Sequence, residues 1–226
     1  MGEVIMKIAP TGLIFYGLCE IRSKVCVANN GVAPITSVWS PPGNTQINVC
    51  HACLNYNIKK GRWNIDGAIT FDMKQVVDIA IIDFNGNVNI IIEVKNMSSD
   101  KSGLIETVRR NEYTSNFKYI IIAAPLTFYI YNENGVELNK ITTKPFFQKY
   151  LETKNFNYEN ITVKDIHEIH YSYRNVVQKH FDFVNLLTEF FKEMSTGAIK
   201  IPQELQFLKN LIIKSSVKKE YVINNV

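Results

Sequence analysis

The sequence predicts an α/β protein, and three observations predict it. Closely spaced Ile- and Val-rich runs, bounded by Gly and Asn, fill residues 65–132 and read as strands. Beyond about residue 144 the apolar period becomes helical. The first 62 residues hold all four cysteines and four of the seven prolines (Pro10, Pro34, Pro41 and Pro42), the texture of short strands and turns, with one helix near residues 53–60. These shifts divide the chain into a Cys-rich segment at 1–62, an α/β core at 63–143 and a C-terminal helical region at 144–226.

Within the core, strands are expected at residues 68–73, 76–84, 88–95, 119–123 and 128–131. Asn85-Gly86 supplies a hairpin turn, since both residue types readily take positive φ. Between the third and fourth strands, residues 103–114 carry Leu104, Ile105 and Val108 at helical spacing, with Ser102 as the N-cap. The order is strand, strand, strand, helix, strand. Further on, Ile166, Ile169, Tyr173, Val176, Val177, Phe181, Val184, Leu187, Phe190 and Phe191 recur mostly three or four apart. They predict a long amphipathic helix from about 166 to 194. Gly197 and Pro202 then punctuate the chain before a short helix at 204–213.

Composition excludes whole classes. With 226 residues, 46% hydrophobic and 20% charged, the chain is neither disordered nor collagenous nor a coiled coil. Folding buries roughly 70% of the unfolded surface at this length, so no disulfide is needed for a core. The balance of 25 Lys+Arg against 21 Asp+Glu gives +4, which tolerates a polyanionic partner without demanding one. The longest apolar runs, 79–82 and 119–124, are too short to cross a bilayer. Glu3 and Lys7 interrupt the apolar start, unlike a signal peptide. The expectation is a cytoplasmic protein with no membrane partner and reduced cysteines.

Charges interrupt two otherwise apolar strands at Asp78 and at Glu93-Val94-Lys95. Side chains alternate along a strand, so Glu93 and Lys95 share one face. In an antiparallel hairpin, Asp78 near the start of one strand lies beside Glu93 near the end of the other. Two adjacent carboxylates repel unless a cation sits between them, and a divalent ion with oxygen ligands, Mg2+ or Mn2+, answers that need. A lysine two residues on would orient or deprotonate a water, or steady charge on a phosphate in transit. The chemistry is phosphodiester hydrolysis. The bland alternative is an ordinary Glu93–Lys95 surface pair, with Asp78 a strand-edge charge.

Cys50-His51-Ala52-Cys53 is a second signal: a C-x-x-C knuckle lets two thiolates reach one zinc, and Cys19 with Cys26 completes a tetrahedron. Six residues separate Cys19 from Cys26, against the usual two to four. The residues leave two readings open, a structural zinc or four buried core thiols. His167, His170 and His180 lie on the long helix, where packing is the better explanation than a metal site. Lys214, Lys218 and Lys219 read as a basic, solvated end. There is no phosphate loop of the G-x-x-x-x-G-K-[ST] type and no G-x-S-x-G elbow, which argues against ATP hydrolysis and acyl transfer.

From Ile65 to Tyr131 the chain resembles the PD-(D/E)XK nuclease superfamily, most closely the nuclease domain of type I restriction enzyme motor subunits. Asp78 matches the first acid, Glu93 the second and Lys95 the lysine, with Val77 where the family often has proline. The segment Ala123-Ala-Pro-Leu-Thr-Phe-Tyr-Ile-Tyr131 is similar to the family's closing strands. The resemblance implies a restriction-endonuclease-like αβββαβ core with a mixed sheet. It further implies Mg2+ or Mn2+ held by Asp78, Glu93 and the Val94 carbonyl, and a setting in restriction, defence or DNA repair. Several relatives carry Gln-x-x-x-Tyr on the following helix. Here Arg109 stands in the glutamine position and Tyr113 in the tyrosine position, so Arg109, Arg110 and Tyr113 are the candidate DNA contacts. Residues 48–61 resemble the second half of a treble-clef zinc finger.

The expected function is therefore metal-dependent cleavage of DNA. A second reading is a non-catalytic nucleic-acid-binding protein that keeps the nuclease fold. A third is an interaction protein whose C-terminal helices dimerise, with or without a partner subunit.

Overall fold

The computed structural model describes residues 15–21, 23–26, 33–40, 45–60, 75–95, 117–163 and 173–223. The expected strand at 68–73, the helix at 103–114, and Arg109, Arg110, Tyr113, His167 and His170 lie outside the described residues. The chain divides into two compact units, residues 1–74 with 164–178, and residues 75–163 with 179–226.

In the first unit, β1 (Phe15–Gly17), β2 (Ala33–Ser40) and β3 (Thr45–Cys50) form an antiparallel sheet in that order. Strand β3 runs directly into helix α1 (His51–Lys59), two residues earlier than the period of the sequence places it.

The second unit is built on the runs of β-branched residues, which suit a pleated surface packed on both sides. Its strands are β4 (Gln75–Ile82), β5 (Val88–Val94), β6 (Tyr119–Ala124), β7 (Thr127–Asn132), β8 (Glu137–Thr142) and β9 (Ser216–Ile223). They form one six-stranded sheet in the order β8-β7-β6-β5-β4-β9. Strands β5 and β6 are parallel and every other neighbouring pair is antiparallel, so the sheet is mixed. The α/β class read from the sequence holds.

Alternation explains how continuous apolar runs are used. Ile79, Ile81, Ile90, Ile92 and Val94 enter the larger core, while Ala80, Ile82 and Ile91 enter a smaller one with Ile120, Ile122 and Tyr131. Helices α2 (Lys144–Thr153) and α3 (Tyr158–Ile161) and the later half of α4 (Tyr173–Thr196) complete the larger core. Phe147 sits at its centre, with the rings of Phe128, Tyr150, Phe183 and Phe190 at 5.2–6.3 Å. The short helix expected at 204–213 is a 3-10 turn at Gln203–Leu208 followed by α5 (Lys209–Ile212).

Two expectations are corrected. The turn between β4 and β5 spans five residues, Asp83 to Asn87, because the Asp83 side chain organises it: Oδ1 accepts from the amides of Asn85 and Asn87. Those bonds, the Asn87 side chain first, hold the Asp83 carboxyl below its ordinary range. Gly86 alone of the Asn85-Gly86 pair takes positive φ, +89°. The chain end is not a solvated tail, since Lys218 and Lys219 lie in β9 and pair with Ala80 and Ile79 of β4. Their side chains remain exposed, which suits an edge strand that must not recruit another chain, and Lys219 Nζ donates to Asn185 Oδ1 at 2.9 Å. Among the described residues no helix is long and apolar enough to cross a membrane.

Candidate functional site

The four cysteines converge. Each thiol sulfur lies within 4.8 Å of the other three, and all four residues are buried. The local fold explains how. Cys50 ends β3 and is the N-cap of α1, so its Sγ accepts from the Cys53 amide at 3.5 Å. Cys53 stands one turn into the helix, three residues on, and both thiols meet at the helix N-terminus, where amide dipoles favour thiolate.

Cys19 follows β1, and its Sγ accepts from the Cys50 amide at 3.3 Å. Reciprocal bonds between Glu20 and Asn48 fix that segment to β3. A turn in which the Cys26 amide donates to the Ser23 carbonyl at 2.7 Å takes up the long gap to Cys19. The same turn aims Ser23 Oγ at Cys53 Sγ, 2.9 Å away.

The sulfur spacing suits a metal. Cys26 Sγ and Cys50 Sγ are 3.9 Å apart. That is far longer than a disulfide bond and close to the roughly 3.8 Å edge of a tetrahedron with Zn–S bonds of about 2.3 Å. All four thiols are free. Hydrogen bonds from Cys26 first, then Cys50 and Cys53, hold the Cys19 thiol far below its ordinary range. Bonding to Cys19, then Cys50, pushes Cys26 up, and burial pushes Cys53 up. The Cys50 thiol is lowered as well, so thiols alone stabilise some of the thiolates at the expense of the others, whereas a dication stabilises the ionised form of every ligand. The four cysteines could hold a metal such as zinc. Burial also lowers the neighbouring His51 imidazole.

The acidic constellation lies in the second unit. Strands β4 and β5 pair from Ile79 opposite Ile92 to Ile82 opposite Val88, so Asp78 and Glu93 each lie one residue beyond the last paired position. Both are fully buried, at 0% exposure. Asp78 Oδ2 accepts from the Val94 amide at 2.8 Å. In an extended strand the amide and carbonyl of one residue open to the same side, so the Val94 carbonyl also opens toward β4. Lys95 follows β5 half-buried, its amide donating to the Ala123 carbonyl of β6 at 2.8 Å. Alternation gives Glu93 and Lys95 the parity of Ile91.

A residue that the sequence gives to helix packing lies beside Asp78. His180 of α4 is 0% exposed, and its Nε2 lies 3.6 Å from Asp78 Oδ1. The signal was a polar residue on the apolar stripe, one turn beyond Val176 and Val177 and one before Val184. Among the described residues, the four cysteines are the group of three or more thiol, imidazole or carboxylate ligands that the fold brings together, and Asp78 with His180 is a pair. Comparison with family models, with curated proteins and with solved structures gives no match to this chain.

Proposed function

We propose that the protein is a divalent-metal-dependent nuclease of the PD-(D/E)XK kind acting on DNA, with a structural zinc in its cysteine cluster. One observation carries the reading: two fully buried carboxylates, Asp78 and Glu93, each lie one residue beyond the last paired position of one hairpin, with Lys95 two residues beyond the second. Buried charge is costly unless neutralised, and an all-oxygen donor set of two carboxylates and a carbonyl suits Mg2+ or Mn2+. Asp78, Glu93 and the Val94 carbonyl would hold the ion, which supplies Lewis-acid stabilisation of charge on phosphate oxygens when bound.

The chain's own residues do the rest. Lys95 places an ammonium beside the scissile phosphate, where it orients the attacking water and offsets the added negative charge. Arg109, Arg110 and Tyr113 grip the backbone and stack on a base. Hydrolysis then adds one water across a phosphodiester P–O bond, leaving a phosphate monoester and an alcohol. The order of strand, strand and parallel strand, β4, β5 and β6, supports a restriction-endonuclease-like sheet. The order of a looped cysteine pair, the β2–β3 hairpin and helix α1 supports a treble-clef reading of the first unit. Restriction or defence is the setting this reading favours.

The test is nicking of supercoiled plasmid in millimolar Mg2+ or Mn2+, a range suited to weak carboxylate sites. The wild type is expected to cleave, and Glu93→Ala and Lys95→Ala each to lose at least ~100-fold in rate. A wild type that binds DNA yet cleaves neither plasmid, single strands nor RNA would favour the non-catalytic binding protein instead.

A further inference from the structure

We propose that the cavity at the C-terminal end of α4 binds a nucleoside monophosphate. The proposal stands apart from the nuclease reading, since the cavity lies wholly within the second unit and neither Asp78 nor Glu93 lines it.

Charge is the first argument. The cavity measures about 440 Å³, within the roughly 300–1,000 Å³ of small-molecule sites. Met194, Ile199, Ile201 and Ile213 give it an apolar lining, and Lys200, Lys209 and Lys214 share its wall. Among the described residues no carboxylate lines it, and none of these three ammonium groups has an ion pair or a hydrogen bond. Three like charges around one space repel one another, and an anion between them removes the repulsion.

The second argument is that the lysines are not needed by the helix. Lysines near a helix C-terminus commonly serve its last carbonyls, but here those carbonyls are taken. Glu193 accepts from the Ile199 amide at 3.3 Å, Met194 from the Gly197 amide at 3.2 Å and Ser195 from the Lys214 amide at 3.0 Å. Lys214 is moreover held at φ +60°, a left-handed conformation that residues with a Cβ rarely adopt. Glycine would occupy that position without strain. A lysine there, lining a cavity, points to use of its ammonium rather than to packing.

The uncharged polar groups identify the kind of anion. The Ser195 hydroxyl donates to the Lys192 carbonyl at 2.9 Å, and the Thr196 hydroxyl to the carbonyls of Lys192 and Glu193, both at 3.2 Å. Their protons are spent, so both oxygens can only accept from a ligand. Gln206 Nε2 donates to the Ile201 carbonyl at 2.7 Å, which leaves Oε1 to accept as well. A fatty acid offers these acceptors no proton and brings the lysines a single charge. A nucleoside monophosphate supplies N–H and O–H donors, a flat body for the apolar lining and a phosphate of about −1.5 to −2 at neutral pH.

The experiment titrates the full chain, its cysteine site loaded with zinc and no Mg2+ or Mn2+ added, with each of the four common ribonucleoside 5′-monophosphates, read by amide NMR shifts. At least one should saturate below ~10 mM, a weak complex, and move the amides of residues 194–201 and 206–214. Inorganic phosphate and the unphosphorylated nucleoside should each bind at least ~10-fold more weakly. Lys209→Gln combined with Lys214→Gln should weaken the nucleotide by at least ~10-fold. Lys214→Gly relieves the strain and removes one ammonium, so it should keep Tm level or higher while weakening the nucleotide about 10-fold. That variant still decides the matter if the double variant does not fold. A 5′-phosphorylated ten-base strand separates two sources of the same chemistry. Tighter binding than the monophosphate at the same amides would assign the site to a strand end, and no shift there would assign it to the free nucleotide. Failure of all four nucleotides to saturate, inorganic phosphate binding equally well, or an affinity unmoved in Lys214→Gly would each overturn the proposal.

Discussion

In the cysteine cluster the ligand atoms come from a loop, a turn, a strand end and a helix, gathered by short backbone and side-chain hydrogen bonds. Asp78 and Glu93, by contrast, come from two neighbouring strands whose pairing places them, in a sheet with an apolar core on each side. One site is assembled from pieces too small to bury much surface, and the other is a feature of a sheet that folds for its own reasons. The difference teaches where a bound metal would contribute to folding and where the sheet needs none. On the function proposed above, four sulfurs around a zinc would leave no open position, as in a structural site, whereas two carboxylates and a carbonyl would leave room for water and phosphate.

The largest expected effect follows from the first half of that contrast. Structural zinc sites in small modules carry apparent binding energies of about 10–16 kcal/mol at neutral pH, most of it folding energy. Elemental analysis should find one zinc per chain, and Cys50→Ser should lose it. Amide exchange across residues 45–60 should then rise to near unprotected rates, as it should in the wild type with a strong chelator. Protection of α1 unchanged by chelation would break the comparison, since the cysteines would then be core thiols.

Phe147→Ala is the complementary perturbation. It removes a fully buried ring from the centre of the larger core, contacted by four other aromatic side chains. The loss should be about 3–5 kcal/mol, read by denaturant unfolding. Zinc stoichiometry should stay at one, because all four cysteines belong to the other compact unit. Loss of zinc in this variant would show that the two regions stand or fall together.

Glu93→Gln sharpens the comparison from the other side. It replaces a buried carboxylate by a neutral amide of the same shape, so metal-free stability should stay level or rise by about 1–2 kcal/mol. Cleavage should fall at least ~100-fold. A destabilised variant would mean that Glu93 holds the sheet together and does not merely await a cation.

What the sequence made legible follows the same division. The β4–β5 hairpin and the knuckle at Cys50 and Cys53 were readable because each depends on local period and spacing. Strands β8 and β9 were not: Glu-Leu-Asn-Lys-Ile-Thr and Ser-Val-Lys-Lys-Glu-Tyr-Val-Ile lack a strong apolar alternation, and both are edge strands that polar residues suit. His180 was missed for a different reason. Its partner lies 102 positions earlier in the chain, and a helical stripe carries no information about which strand it will cover.

The smallest effect concerns the turn that sets this hairpin. Gly86 has φ +89°, and a Cβ built there meets nothing within 4 Å. Gly86→Ala therefore costs backbone strain alone, about 1–2 kcal/mol for the left-handed conformation. The stiffer unfolded chain offsets about 0.4–1 kcal/mol of that. The net loss of about 1 kcal/mol should lower Tm by roughly 2–4 °C, and Gly86→Asn should lose less because asparagine tolerates positive φ. Cleavage should not change, since Val88, beside the turn, and Glu93 are five residues apart along β5, about 17 Å at the strand rise. If Gly86→Ala instead loses activity while keeping most of its stability, the turn sets the register. The alignment of β4 with β5 would then rest on one glycine and one aspartate at the hairpin's tip, and not on the apolar faces on either side of it.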